Sequence, residues 1–231
     1  MTVRAALFDL DGTLVDSLGD LTDAVNHMLA GFGRPSLTSA SVRQLVGKGA
    51  HNLVRRALET ESEEAIIRGI EMFVAYNSVH ITDKSALYPG VREALLQLAE
   101  NGISLAVISN KHETLCNLIM EALGIARLFE IICGGDTFPE MKPSPLPLLL
   151  TLERLGIAAH DAVMVGDSIN DVLAGQQAGV TTIGCAWGYG RMEDMAEADH
   201  CAASPGDMAA ILLNGSPRKL LKNPECCTKG G

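Results

Sequence analysis

The chain has 231 residues, of which 47% are hydrophobic, enough apolar material to build a sizeable folded core. Its 18 Lys and Arg against 28 Asp and Glu give a net charge of -10, which argues against a nucleic-acid or anionic-membrane surface and favours a small-molecule partner. With no signal-peptide pattern at the start, no apolar stretch long enough to span a bilayer and six cysteines that form no CxxC pair, we expect a cytoplasmic protein with reduced thiols.

The first predicted element is a strand over Ala5–Leu10, because its apolar run is typical of a strand that is buried on both faces. A different texture follows over residues 16–83, where apolar residues recur at helical spacing and no run predicts a strand. The four helices predicted there span Leu18–Leu29, Ser39–Val46, His51–Leu58 and Glu63–Val79. This pattern predicts an all-helical domain inserted into another domain.

From Gly90 onward, strand-like runs alternate with amphipathic helical patterns, as in a parallel sheet covered by helices. Further strands are predicted over Ile103–Ser109, Ile131–Cys133, Ala162–Val165 and Val180–Ala186. Pro89 and Gly102 bound one predicted helix, and Ser144-Pro145 and Gly156 bound another. We therefore predict an α/β fold, with a Rossmann-like parallel sheet of at least five strands over residues 1–15 and 84–214 and a four-helix domain over residues 16–83. Residues 215–231, rich in Gly, Pro and Lys, are predicted to form a disordered tail.

Two aspartates, Asp9 and Asp11, directly follow the first predicted strand in the run Asp-Leu-Asp-Gly-Thr that ends at Thr13. Open α/β folds bind ligands at the carboxyl ends of their strands, and strand alternation points both carboxylates to one side. Taken alone, such a run can also be an ordinary Asp-Gly turn after a strand. The functional interpretation therefore depends on what the other strand ends carry.

A second pair of aspartates, Asp167 and Asp171, follows the strand predicted over Ala162–Val165. Their spacing of four residues brings side chains together where a helix begins, and carboxylate oxygens are the ligands that Mg²⁺ takes. The alternative is that Asp171 only caps the first turn of that helix. Because carboxylates that converge at two strand ends repel one another without a cation, we expect a metal site built from Asp9, Asp11, Asp167 and Asp171.

Two further strand ends carry residues suited to holding a phosphate. Ser109 and Asn110 follow the strand predicted from Ile103, and they offer a hydroxyl and an amide to a phosphate oxygen. Lys142 precedes Pro143, which favours an extended or turn conformation and leaves the ammonium able to reach a bound anion. A lone lysine is usually a solvated surface charge, but this one lies shortly before a predicted helix.

These motifs, in their order and spacing, resemble those of the haloacid dehalogenase superfamily over the chain from about Val3 to Leu213. The resemblance implies that Asp9 is the nucleophile of a phosphoryl transfer and that Asp11 is the general acid and base. Dehalogenase members of the superfamily lack an aspartate at the position of Asp11, so its presence here implies a phosphatase.

The same resemblance assigns the remaining polar residues. Ser109, where the family often has Thr, and Lys142 are expected to hold the phosphate, with Asn110 and Thr13 as further substrate-binding candidates. Asp167 and Asp171 are expected to support Mg²⁺ as the cofactor.

The helical region resembles the four-helix cap of this family, placed after the first motif and hinged near Thr13–Ser17 and Thr82–Leu87. Closure of such a lid excludes water and brings cap residues to the substrate. The loop around Lys48, with a glycine on each side, is the candidate substrate-reading loop, and Lys48 is its candidate anion anchor. The alternative is an ordinary helix-helix turn with an exposed lysine.

The longer segments around these motifs, together with the Trp-Gly-Tyr-Gly run at Trp187, are similar to those of bacterial phosphoglycolate phosphatases. This similarity implies 2-phosphoglycolate as the substrate. We expect the protein to be a monomer or a homodimer. The alternatives are a phosphatase for another small phosphometabolite, a phosphonoacetaldehyde hydrolase that uses Lys48 as a Schiff base, and a hexose-phosphate mutase. A phosphate-binding regulatory module is the non-enzymatic alternative, and the intact pair of Asp9 and Asp11 argues against it.

Overall fold

The computed structural model describes residues 3–214, which contain eight strands and ten α-helices. The strands are β1 (Ala5–Phe8), β2 (Val15–Asp16), β3 (Ala86–Leu87), β4 (Ser104–Ile108), β5 (Ile131–Cys133), β6 (Ala162–Gly166), β7 (Thr181–Cys185) and β8 (His200–Ala202). The helices are α1 (Leu18–Gly31), α2 (Ser39–Arg43), α3 (Gly49–Leu58), α4 (Glu63–Val79), α5 (Val91–Glu100), α6 (Glu113–Ala122), α7 (Leu146–Leu155), α8 (Ile169–Ala178), α9 (Met192–Met195) and α10 (Pro205–Leu213).

The main sheet has six parallel strands in the order β5-β4-β1-β6-β7-β8. Strand β1 lies inside it, with Phe8 in register with Val107 on one side and Val165 on the other. All four residues of β1 are fully buried, which explains their uninterrupted apolar run. The predicted α/β fold with a parallel sheet is confirmed.

All five predicted strands are present, with ends that differ from the predicted ones by at most two residues. Strand β1 ends at Phe8; the backbone N–H of Asp9 still donates to the Val165 carbonyl, and the chain then turns at Gly12, whose φ of 88° is in the left-handed region. The prediction missed the sixth strand, β8, which has only three residues and begins with a histidine. It also missed the short pair of β2 and β3.

The four predicted helices of the inserted region correspond to α1–α4, and α1 packs against the other three. The second helix ends earlier than predicted, at Arg43, and the third begins earlier, at Gly49. Strands β2 and β3 pair in antiparallel orientation, so the two connections between this region and the sheet lie side by side. The buried carboxylate of Asp20 reinforces this junction by accepting hydrogen bonds from the backbone N–H groups of Lys84 and Ser85.

The order of the strands positions the site. Strands β4 and β6 flank β1, and the carboxyl ends of all three lie at the same edge of the sheet. Asp9, Ser109 and Asp167 follow these three ends and are therefore neighbours in space. Within residues 3–214, no helix combines the length and apolar content needed to cross a membrane. The tail predicted over residues 215–231 lies outside the described residues.

Candidate active site

Three buried aspartates form an acidic cluster at the carboxyl edge of the sheet. Asp9, Asp167 and Asp171 each offer a carboxylate oxygen, and these oxygens lie within 4.8 Å of one another. Asp171 also forms a capping box at the start of α8, where its Oδ2 accepts hydrogen bonds from the backbone N–H and hydroxyl of Ser168. The capping role considered for Asp171 is thus confirmed, while its Oδ1 is directed into the cluster.

Lys142 is the cation of this cluster. Its Nζ lies 2.6 Å from Oδ1 of Asp171 and 3.1 Å from Oδ1 of Asp9, and the side chain is fully buried. Burial by itself lowers the pKa of an ammonium, but here the charges of Asp171 and Asp9 outweigh burial and raise the pKa of Lys142. Lys142 therefore lies within the acidic cluster, with its ammonium paired to two carboxylates.

Asp167 is held by the loop that follows β7. Its Oδ2 accepts hydrogen bonds from the backbone N–H groups of Tyr189 at 2.6 Å and Gly190 at 3.2 Å. A Cβ at Gly190 would lie 1.6 Å from the carbonyl oxygen of Asp167, so only glycine permits this approach. Thr13, predicted to bind substrate, has its hydroxyl 3.2 Å from Oδ1 of Asp167 and positions that carboxylate.

The electrostatics of the cluster fit a divalent cation. Burial raises the pKa of Asp9 to about 7; the charge of Lys142 opposes this shift, and Asp171 and Asp167 add to it. Burial and the charge of Asp171 raise the pKa of Asp167 to about 6. Three carboxylates against one ammonium leave an excess of negative charge, and hard oxygen donors are the ligands that a divalent cation requires. Asp9, Asp167 and Asp171 are the residues that would hold it.

Asp11 has different neighbours from the other three aspartates. Its Oδ1 accepts a hydrogen bond from the hydroxyl of Ser17 at 2.5 Å, and both carboxylate oxygens lie 3.2 Å from Nζ of Lys111. Ser17 and Lys111 hold the Asp11 carboxylate, and the structure does not bring it together with those of the other predicted metal ligands. Sequence reasoning did not select Lys111, although its place directly after Asn110 at a strand end was a usable signal.

Ser109 and Asn110, which follow β4, have different hydrogen-bond partners. Ser109 is buried, and its Oγ accepts a hydrogen bond from the backbone N–H of Lys111. The Asn110 side chain accepts from the backbone N–H of Lys142 and donates to the Lys142 carbonyl and the Gly47 carbonyl. The side chain of Asn110, predicted to bind substrate, thus joins the loop before α3 to the loop that carries Lys142.

Two cavities reach Asp9 and Asp11. The inner cavity, of about 50 Å³, lies between the sheet and the inserted helices and is also lined by Ser109 and Lys111. The outer cavity, of about 990 Å³, also contacts Lys48. Its other basic lining residues are Arg43, Arg55, Arg56 and Arg191. The structure therefore places Lys48, which is exposed, at the outer cavity.

Tyr189 connects the acidic cluster to the inserted helices. Its phenol oxygen accepts hydrogen bonds from the backbone N–H groups of Ser17 and Leu18 and donates one to Asp16. Burial, together with the charge of Asp11, raises the pKa of this phenol, which therefore keeps its proton. Arg43 of α2 donates to the Tyr189 carbonyl from the other side. From the sequence, the segment around Tyr189 was identified only through the resemblance, and no role was predicted for Tyr189.

The fold and the motifs define the class of protein. A family model of haloacid dehalogenase-like hydrolases matches residues 6–185, which is more than half of the chain. The chain belongs to the haloacid dehalogenase-like hydrolase family, as the motifs predicted.

Comparison with individual proteins gives a more specific similarity than the family model does. The chain is 44% identical over 204 residues to phosphoglycolate phosphatase 1 of Pseudomonas aeruginosa, in an alignment that covers 84% of this chain and 73% of the relative. It is 39% identical over 218 residues to the phosphoglycolate phosphatase of Chromobacterium violaceum, covering 92% and 98% of the two chains. A crystal structure of a predicted phosphoglycolate phosphatase from Haemophilus somnus superposes with a TM-score of 0.87 at 32% identity, covering 91% and 98%. The predicted class of enzyme, a phosphatase, is confirmed.

Proposed function

We propose that this protein is a Mg²⁺-dependent phosphomonoester hydrolase that works through an aspartyl phosphate on Asp9, with 2-phosphoglycolate as its substrate. The observation that carries the mechanism is the asymmetry of the Asp9 carboxylate. Its Oδ1 accepts from the backbone N–H of Leu10 and lies beside Lys142, whereas Oδ2 makes no hydrogen bond to the described residues. Asp9 also lines both cavities, so one oxygen is held while the other is available as a nucleophile.

The first half of the reaction forms the intermediate. Oδ2 of Asp9 attacks phosphorus in line with the leaving oxygen, and the bond between phosphorus and that oxygen breaks. Asp11, oriented by Ser17 and Lys111, gives a proton to the departing oxygen. When bound, Mg²⁺ supplies the positive charge that lets an anionic nucleophile approach a phosphate.

The second half returns the free enzyme. Asp11, now ionised, takes a proton from water, and this water attacks the phosphorus of the acyl phosphate. Inorganic phosphate leaves, and Asp9 is restored as a carboxylate. Lys142, with Ser109 nearby at the end of β4, supplies donors for the phosphate oxygens in both steps.

The size of the inner cavity supports a small substrate. At about 50 Å³, it has room for a small organic group beside Asp9 and Asp11. The glycolate part of 2-phosphoglycolate has this size, and the relatives named above carry that substrate in their names.

The inserted helices would act as the cap of this enzyme, over residues 16–83, on a core formed by residues 1–15 and 84–214. Support comes from the paired connections β2 and β3, which provide one hinge, and from Gly47, whose carbonyl accepts hydrogen bonds from Asn110 and Asn170 of the core. Closing the cap on these two amides would enclose the inner cavity. We place the enzyme in the cytoplasm, as a monomer or homodimer.

A panel of small phosphate esters tests this function. Phosphate release is measured for the wild-type protein and the Asp9→Asn variant, in Mg²⁺ and in EDTA, on 2-phosphoglycolate, hexose phosphates and phosphonoacetaldehyde. We expect 2-phosphoglycolate to have the highest kcat/KM and all release to require both Mg²⁺ and Asp9. Release of phosphate from phosphonoacetaldehyde in preference to the esters, or no hydrolysis of any ester, would contradict the proposal.

A further inference from the structure

The inner cavity contains one strongly basic side chain. Among the described residues that line it, Lys111 is the sole lysine or arginine, and it shares the cavity with Asp9 and Asp11. His112 also reaches this cavity, but its Nε2 is paired with Asp136 at 3.1 Å. An organic anion that enters the inner cavity would therefore meet its main positive charge at Lys111.

The surroundings of Lys111 hold its ammonium in place. The side chain is only 6% exposed, and Nζ lies 3.2 Å from both oxygens of Asp11. Its backbone N–H donates to Ser109, and its carbonyl accepts from Gly135. Because an ammonium has three N–H donors and Asp11 is its one partner among the described residues, at least one donor remains for a ligand.

Lys48, the candidate anchor from sequence, has a different position. It is exposed and borders the outer cavity together with Arg43, Arg55, Arg56 and Arg191. Contacts between exposed charges are weakened by water and salt, whereas a buried ammonium interacts strongly with a carboxylate. Lys111 is thus the better placed of the two lysines to read a charge on the substrate.

We propose that Lys111 is a specificity-determining residue that binds the carboxylate of the leaving group, an inference that rests on the proposed function. In 2-phosphoglycolate a single methylene separates the leaving oxygen from the carboxylate carbon. Since Asp11 protonates that oxygen and Lys111 contacts Asp11, the carboxylate lies beside Lys111 when phosphorus is in line with Asp9. The pair of Asp11 and Lys111 would then contact the two ends of the leaving group.

The test compares two substrates that differ only in the group at the end opposite the phosphate. Ethyl phosphate has the skeleton of 2-phosphoglycolate with a methyl group in place of the carboxylate. The kcat/KM of both is measured for the wild type, Lys111→Met, Lys111→Gln and Lys48→Met. Lys111→Gln keeps a donor for Asp11 without the charge, and turnover of ethyl phosphate shows that each variant retains a folded site.

We expect the preference of the wild type for 2-phosphoglycolate over ethyl phosphate to fall about 10- to 100-fold in both Lys111 variants, the usual worth of a charged hydrogen bond. The preference should stay close to that of the wild type in Lys48→Met. Lys111 variants that keep the preference, with equal loss on both substrates, would overturn the inference and leave the phosphatase assignment intact. A selective loss in Lys48→Met alone would assign the carboxylate to Lys48 and likewise overturn it. A wild-type protein without any preference would instead reject 2-phosphoglycolate as the substrate, and the carboxylate anchor with it.

Discussion

Lys142 and Asp171 form a buried ion pair, with 2.6 Å between Nζ and Oδ1, and each side chain is at most 2% exposed. Without Lys142, three buried carboxylates would face one another with no counter-charge. We expect Lys142→Met to abolish turnover and to lower the free energy of unfolding by about 3–5 kcal/mol in metal-free buffer, the usual cost of breaking a buried pair.

Urea unfolding of this variant, with and without Mg²⁺, measures the effect. The matched control is Lys84→Met, which removes a lysine from a half-exposed pair with Asp23 and should change stability little. A Lys142→Met protein as stable as the wild type in metal-free buffer would show that Lys142 does not balance the cluster.

Proton binding by the cluster predicts how pH changes stability. The pKa of Asp9 is raised from 3.8 to about 7, and that of Asp167 is raised from 3.8 to about 6. At pH values between 3.8 and the raised pKa of each group, the folded state therefore binds more protons than the unfolded state. The free energy of unfolding of the metal-free protein should therefore fall as pH rises through this range. Mg²⁺ competes with those protons, so the rise in Tm that it causes should be larger near about pH 8 than near about pH 5.

Thermal unfolding with and without Mg²⁺ across this pH range is the measurement. Asp9→Asn should flatten the metal-free profile, because the substituted amide does not titrate. An equal Mg²⁺ effect at both pH values would contradict the assignment of the cluster as the metal site.

Asp11 is expected to work first as an acid and then as a base, and the two roles can be separated. Asp11→Asn should slow hydrolysis of 2-phosphoglycolate by about two to four orders of magnitude. p-Nitrophenolate leaves without protonation, so this variant should still release a rapid burst of p-nitrophenol from p-nitrophenyl phosphate before slow turnover. Rapid-mixing absorbance measures the burst, and a slow first turnover on this substrate would mean that Asp11 does more than transfer protons.

Tyr189 should contribute to stability and activity through its hydroxyl group. Tyr189→Phe keeps the ring and the backbone N–H that holds Asp167, but it leaves the N–H groups of Ser17 and Leu18 without their acceptor. We expect a loss of about 1–3 kcal/mol in the free energy of unfolding and a lower kcat.

Tyr76→Phe is the matched control for this prediction. Tyr76 stacks between His27 and His80, and its hydroxyl makes no hydrogen bond to the described residues. Both free energies come from urea unfolding, and equal effects of the two substitutions would show that the Tyr189 hydroxyl does not stabilise the hinge.

Sequence reasoning succeeded where local patterns decide the structure. The apolar run before Asp9 marked a buried strand, and the carboxyl end of a parallel strand is a defined place, so Asp9 and Asp167 could be predicted as neighbours. Glu63–Val79 was predicted to the residue from apolar residues that recur at helical spacing, and in the structure the Ser62 side chain caps its start.

The direction of individual side chains could not be read from such patterns. Asp11 contacts Ser17 and Lys111 and not the acidic cluster, and strand alternation does not predict this because β1 ends at Phe8, before Asp11. The contacts of Asn110 and Tyr189 depend on loops distant in the chain, which only the tertiary structure brings together.

In the proposed mechanism, the phosphoryl group passes through Asp9. Rapid quenching during turnover of 2-phosphoglycolate, followed by borohydride, would reduce an aspartyl phosphate to homoserine, which mass spectrometry of the peptide locates. We predict homoserine at position 9 in the wild-type protein, dependent on substrate and Mg²⁺, and none in Asp9→Asn. Homoserine at another aspartate, or turnover close to the wild-type rate in Asp9→Asn, would contradict the account.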